Sequence, residues 1–143
     1  MIHRTPLSRR HFVAVCCGLA ASGASAGPLW GASRRGRRDP GHPTPRPGIT
    51  AANVLPDSEL MDYPGARPAF EAIRPIPEIV DGIRCNCGCA ELPGFYSLLS
   101  CYEGAGMARI CEICQGQGRL AARLHKAGKT LDEIRTAIDA RYG

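Results

Sequence analysis

The chain has 143 residues, with 18 Lys and Arg against 13 Asp and Glu, and 8 Cys. That length suits one domain of ordinary size. With 17 Gly, 12 Pro and only 6% aromatic residues, the composition excludes a plain hydrophobic-core enzyme domain as the default.

The net charge of +5 does not point to nucleic acid, because of where it sits. Arg4, Arg9 and Arg10 fall in the first 26 residues, and Arg34, Arg35, Arg37 and Arg38 form a second group. From Pro77 onward there are 8 basic and 8 acidic residues, so that region is neutral and has no basic face interleaved with aromatics.

Residues 1–26 read as an export signal. Ser8-Arg9-Arg10-His11-Phe12-Val13 has the form of a twin-arginine motif, Phe12 to Ala24 is a modest apolar run, and Ala24-Ser25-Ala26 is a small-x-small cleavage site. The run is shorter than the roughly 20 apolar residues a bilayer span needs. Membrane contact is therefore expected only during export, with an extracytoplasmic product: periplasmic, in the cell envelope, or secreted. Cys16 and Cys17 follow Arg10 too closely for a lipoprotein anchor, and cleavage near Ala26 discards both.

Residues 27–76 hold most of the prolines. Gly36 to Gly48 has no apolar periodicity, so a disordered or polyproline-II tether is expected, with Phe70, Ile73 and Ile76 packing back in extended form.

Residues 77–143 form the expected domain. Pro77 to Ile83 reads as a short helical turn opened by proline. Phe95 to Tyr102 reads as a short apolar helical segment, and Gly104-Ala105-Gly106 as a break. Met107 to Lys126 reads as a helix with Ile110, Ile113, Gln117, Leu120 and Leu124 at helical spacing. Gly116 and Gly118 inside it imply either weakening or a backbone packed closely on that face. The last helix opens on the capping box Thr130-x-x-Glu133 and carries Leu131, Ile134, Ile138 and Tyr142 on one side. The expected fold is mainly α: two main C-terminal helices, short helical turns and a Cys-x-Cys-x-Cys loop. Sixty-seven residues with so few apolar positions should need a disulfide or metal staple.

Six cysteines remain in this domain: Cys85, Cys87, Cys89, Cys101, Cys111 and Cys114. In an extended stretch the first three present sulfurs on one side, and Gly88 lets the loop curl. Cys111 and Cys114, at i and i+3, share a helix face. Three chemistries fit. Four sulfurs suit zinc, an iron–sulfur centre or Cu(I). Cys-x-x-Cys suits a redox pair, more strongly if the helix starts near Ile110 than near Met107. Six cysteines outside the cytoplasm also suit three disulfides. His125 lies 11 residues beyond Cys114, about 16 Å along a helix, too far to share one ion and better placed as a capping or surface residue. No Ser-His-Asp set, paired carboxylates or phosphate loop is present.

The ordered motifs Cys85-Asn86-Cys87-Gly88-Cys89, Leu99-Ser100-Cys101-Tyr102, Cys111-Glu112-Ile113-Cys114 and Gly128-Lys129-Thr130 through Tyr142-Gly143 carry a further signal. Over about Ile76 to Gly143 the chain resembles the bacterial PCYCGC-motif family, also called CYCXC (seleno)proteins. It departs at Arg84, where that family's name has Pro, and at Asn86, where it has Tyr. Many relatives resemble lipoproteins, whereas this chain has no lipobox. Selenocysteine in the family name implies redox chemistry or soft-metal binding at Cys85 to Cys89, without separating the two.

The expected function is an extracytoplasmic soft-metal-binding protein, Cu(I) first and Zn second. Cys85, Cys87, Cys111 and Cys114 are the expected ligands, with Cys89 and Cys101 joining them or pairing. The alternative is a thiol–disulfide redox protein using Cys85, Cys87, Cys89, Cys111 and Cys114. The third reading is a disulfide-stapled envelope interaction protein. The implied partners are a metal ion and a redox or metal-transfer protein.

Overall fold

The computed structural model describes residues 41–143, Ala105 excepted. The expected signal peptide, its cleavage site, Cys16, Cys17 and the first part of the expected tether lie outside these residues. The described fold is mainly helical, as expected, and holds no strand among the described residues. Four α-helices follow in order: α1, Arg67–Ile73; α2, Pro77–Asp81; α3, Glu112–Lys126; and α4, Leu131–Tyr142. Short 3-10 turns lie between and before them, including Cys89–Glu91, Leu99–Cys101 and Met107–Arg109. None of the described helices is long and apolar enough to cross a membrane.

Helix α3 is the central element, with α1 and α4 both packed against it. Its buried side is Cys114, Gln117, Gly118, Leu120 and Ala121. The expected stripe is thus out of register at its start: Ile110 is 68% exposed and Ile113 is 43% exposed. The cause is the helix boundary. Cys111 is extended, with φ −96° and ψ 107°, and α3 begins only at Glu112 rather than at Met107. Small residues, not branched apolar ones, face the core there because tyrosine rings occupy the space. A Cβ on Gly118 would collide with the Tyr102 hydroxyl, and one on Gly116 would lie 2.5 Å from that of Tyr142. The close approach expected at these glycines is therefore real, but it is made by side chains rather than by a backbone. Tyr102 in turn meets Phe70 edge-on, with ring centroids 4.7 Å apart.

Helix α4 forms where its capping box predicts. Thr130 accepts from the Glu133 amide, and the Glu133 carboxylate accepts from the Thr130 amide. Lys129 beside it, with the cap amide, holds the Glu133 carboxyl down to about 2. Ile134 and Ile138 are fully buried.

Residues 41–76 correct the expected tether and the expected domain start at Pro77. Ile49, Val54, Leu60, Phe70, Ile73 and Ile76 all join the core, and Phe70 and Ile73 do so from helix α1 rather than in extended form. The Pro-rich stretch before them has almost nothing apolar to bury, and it is held by polar contacts instead. Arg135 donates to the carbonyls of Pro43 and Gly82, each at 2.8 Å, and Tyr96 donates to the Thr44 carbonyl at 2.6 Å. Arg46 pairs with fully buried Asp81 at 2.7 Å and also reaches Glu103. Burial pushes the Asp81 carboxyl up, but hydrogen bonds from Arg46 and Ser97 outweigh it and hold that carboxyl below its ordinary range. Proline removes backbone donors, so a proline-rich strap offers chiefly carbonyls, and side-chain donors from the domain meet them.

Candidate metal centre

Two breaks in regular structure build the site. After α2 the chain turns at Asn86, Cys87 and Gly88 and enters the 3-10 turn Cys89–Glu91. The Cys-x-Cys-x-Cys segment is therefore a tight turn and not the extended stretch expected. Gly88 has φ 98°, a left-handed conformation that costs other residues about 1–2 kcal/mol. The curl draws the three sulfurs together: Cys85 to Cys87 is 3.2 Å and Cys87 to Cys89 is 3.1 Å. From α3, Cys114 closes the group, 3.6 Å from Cys85 and 3.4 Å from Cys87. The sulfurs of Cys85, Cys87, Cys89 and Cys114 all lie within 4.8 Å of one another, an arrangement that can hold a metal ion.

The expected convergence of loop and helix is observed, but its membership differs. Cys89 belongs to the quartet, and Cys111 does not. Cys111 caps α3 instead: its sulfur accepts from the Cys114 amide at 3.5 Å. At i and i+3 the two would share a face only if both were helical, and Cys111 precedes the first helical residue. Cys101 is fully buried in the 3-10 turn Leu99–Cys101, its sulfur 3.5 Å from that of Cys85. The six cysteines among the described residues are free thiols, and their sulfur contacts of 3.1–3.6 Å are far from the 2.05 Å of a disulfide. His125 lies in the last turn of α3, away from the sulfurs and on the wall of a surface groove with Arg119, Arg123 and Lys126.

The donor chemistry fits a soft or borderline cation. Sulfurs 2.3 Å from zinc at tetrahedral corners are about 3.8 Å apart, wider than the 3.1–3.6 Å contacts within this group. Thiol donors from Cys101 and Cys114 act on Cys85 and hold its thiol far below the ordinary range, against the effect of burial. Burial, with Cys89 and Cys85 as neighbours, pushes Cys87 up. Cys101 and Cys85 push Cys114 up in the same sense. The group as a whole resists a second negative charge, because like charges this close oppose each other. A bound cation removes that opposition.

Three supporting residues escaped the sequence reading. Gln117, one turn beyond Cys114, is fully buried; its Oε1 accepts from the Asn86 amide at 3.4 Å, and its Nε2 has no hydrogen-bond partner. It fell on the helical period and read as core; a glutamine on an apolar stripe was the available signal. His42 and Asp139 brace the loop from outside. His42 Nδ1 accepts from the Arg84 amide at 3.0 Å, its Nε2 meets Asp139 at 2.9 Å, and Asn86 donates to the same carboxylate at 3.3 Å. Nothing in the local sequence links residues that far apart.

No family model, curated protein or solved structure matches this chain.

Proposed function

We propose that this protein binds a soft metal ion through thiolates, Cu(I) first and zinc second, outside the cytoplasm. The observation that carries the reading is the convergence of four sulfurs from two separate segments, three of them buried. A small hydrophobic core has no need to gather thiols against one another, whereas a metal site does. The expected export signal supports the placement, and the resemblance to the PCYCGC-motif family supports soft-metal or redox chemistry at the loop. A redox or metal-transfer protein is the natural partner, and Cys87, half-buried, is the sulfur of the quartet open to it.

The alternative, thiol–disulfide exchange, is favoured by one observation. Cys111 is partly exposed at the N-terminus of a 15-residue helix, with Cys114 three residues on. The two readings separate at Cys111.

The test uses the full chain with Cys16→Ser and Cys17→Ser, purified untagged and anaerobically. Metal per chain is measured by elemental analysis, and free thiols are counted before and after denaturation. At least one tightly held ion per chain is expected, retained in Cys111→Ser and lost in Cys87→Ser. Negligible metal with intact thiols would sink the reading. Loss of metal in Cys111→Ser, with fast dithiol exchange in the parent, would favour the redox alternative.

A further inference from the structure

The quartet does not account for every sulfur at the site. Cys101 is as buried as any residue in the protein, yet it does not sit among carbon alone. Its sulfur lies 3.5 Å from that of Cys85. Five sulfurs therefore form one contiguous group, in which Cys85 touches Cys101 as well as Cys87 and Cys114 of the quartet.

We propose that this group holds a cluster of at least two Cu(I) ions joined by a shared thiolate, with Cys85 as the bridging sulfur and Cys101 as the extra ligand. This rests on the metal-binding reading and deepens it. One tetrahedral ion saturates four sulfurs and leaves the fifth without a role. Cu(I) selects thiolates, is satisfied by fewer of them than zinc, and allows a thiolate to bridge.

Charge balance permits the loading. Each Cu(I) that enters by displacing one thiol proton leaves the charge of the group unchanged: RSH and Cu⁺ become RS–Cu and H⁺. No oxidant or reductant is needed, since copper enters and remains as Cu(I). Successive ions can therefore load without accumulating charge. Five contiguous thiols, rather than four, suit such loading.

The experiment is an anaerobic Cu(I) titration of the full chain carrying Cys16→Ser and Cys17→Ser, against a chromophoric Cu(I) chelator. Zinc is titrated in parallel. At least two Cu(I) per chain but a single zinc are expected. X-ray absorption should show a Cu···Cu scattering path, and the copper form should luminesce as solvent-shielded Cu(I)–thiolate clusters do. Cys101→Ser should lower copper to one per chain and leave zinc at one. Cys101→Ala, which buries no hydroxyl, serves if the serine variant fails to fold. One Cu(I) beside one zinc, or a copper count unchanged in both Cys101 variants, would overturn the cluster and leave the metal-binding reading standing. Retention of neither metal would overturn both.

Discussion

Gln117 shows what the site costs a single side chain. Its Nε2 is buried without a hydrogen-bond partner, and such a donor forfeits roughly 1–3 kcal/mol. Its Oε1 meanwhile receives the amide of Asn86, the residue between the first two cysteines of the loop. The side chain therefore serves the loop at the expense of the core, a trade common at functional sites. Gln117→Met keeps the length and removes both polar atoms. It should raise the urea midpoint of the metal-free chain, by about 1 kcal/mol in stability, and weaken zinc binding in a competition titration. A variant that gains stability with unchanged zinc affinity would confine Gln117 to packing. The thiols obey the same residue-scale logic. Thiol donors from Cys101 and Cys114 hold the Cys85 thiol below its ordinary range.

Elements here are decided by pairings across the chain as much as by local pattern. Helix α4 was legible because its signals are local: a capping box, then Ile134 and Ile138 at the right interval. The start of α3 was not, because Ile110 and Ile113 imitate a buried stripe while the cap is made by a sulfur, an uncommon capping group. The convergence of loop and helix was readable from cysteine spacing, but the exchange of Cys111 for Cys89 depended on that same boundary. The strap formed by residues 41–48 was illegible for another reason. It has no periodicity, and its anchor is a pair 35 positions apart, Arg46 with Asp81. Asp81→Asn tests that anchor. Removing one partner of a buried pair costs about 3–5 kcal/mol, and Arg46, being 37% exposed, recovers part of this from water. A loss of about 2–3 kcal/mol at pH 7 is expected. The Asp81 carboxyl is depressed in the folded state, so its contribution is complete above the unfolded value, about 3.9. It is lost as pH falls from there through the lower folded value. Urea midpoints of parent and variant should differ at pH 7 and draw together as pH falls below about 3.9.

At the scale of the molecule, the ordered strap and helix α1 change what the cysteines are for. A domain confined to residues 77–143 would need a staple, but the observed core also recruits Ile49, Val54, Leu60, Phe70 and Ile73. Apolar burial is then large enough to hold the fold without cross-links, which leaves the thiols available for chemistry. Metal should therefore act as a stabilising ligand and not as a condition of folding, unlike the case of small zinc modules that are unfolded without it. The cluster joins segments as much as 29 residues apart, Cys85 on the loop and Cys114 on α3, so an ion bound there favours the folded state by mass action. At a free concentration 100-fold above Kd the gain is about 2.7 kcal/mol. For roughly 100 folded residues that corresponds to a rise in Tm of about 10–20 °C. Calorimetry of the chain lacking Cys16 and Cys17 should show a cooperative transition when metal-free, the rise with zinc, and its reversal by a chelator. Cys111→Ser should keep the rise and Cys87→Ser should abolish it. A metal-free chain with no transition would mean that the staple is needed after all. A Tm indifferent to zinc in the parent would mean that the four sulfurs are packing partners only.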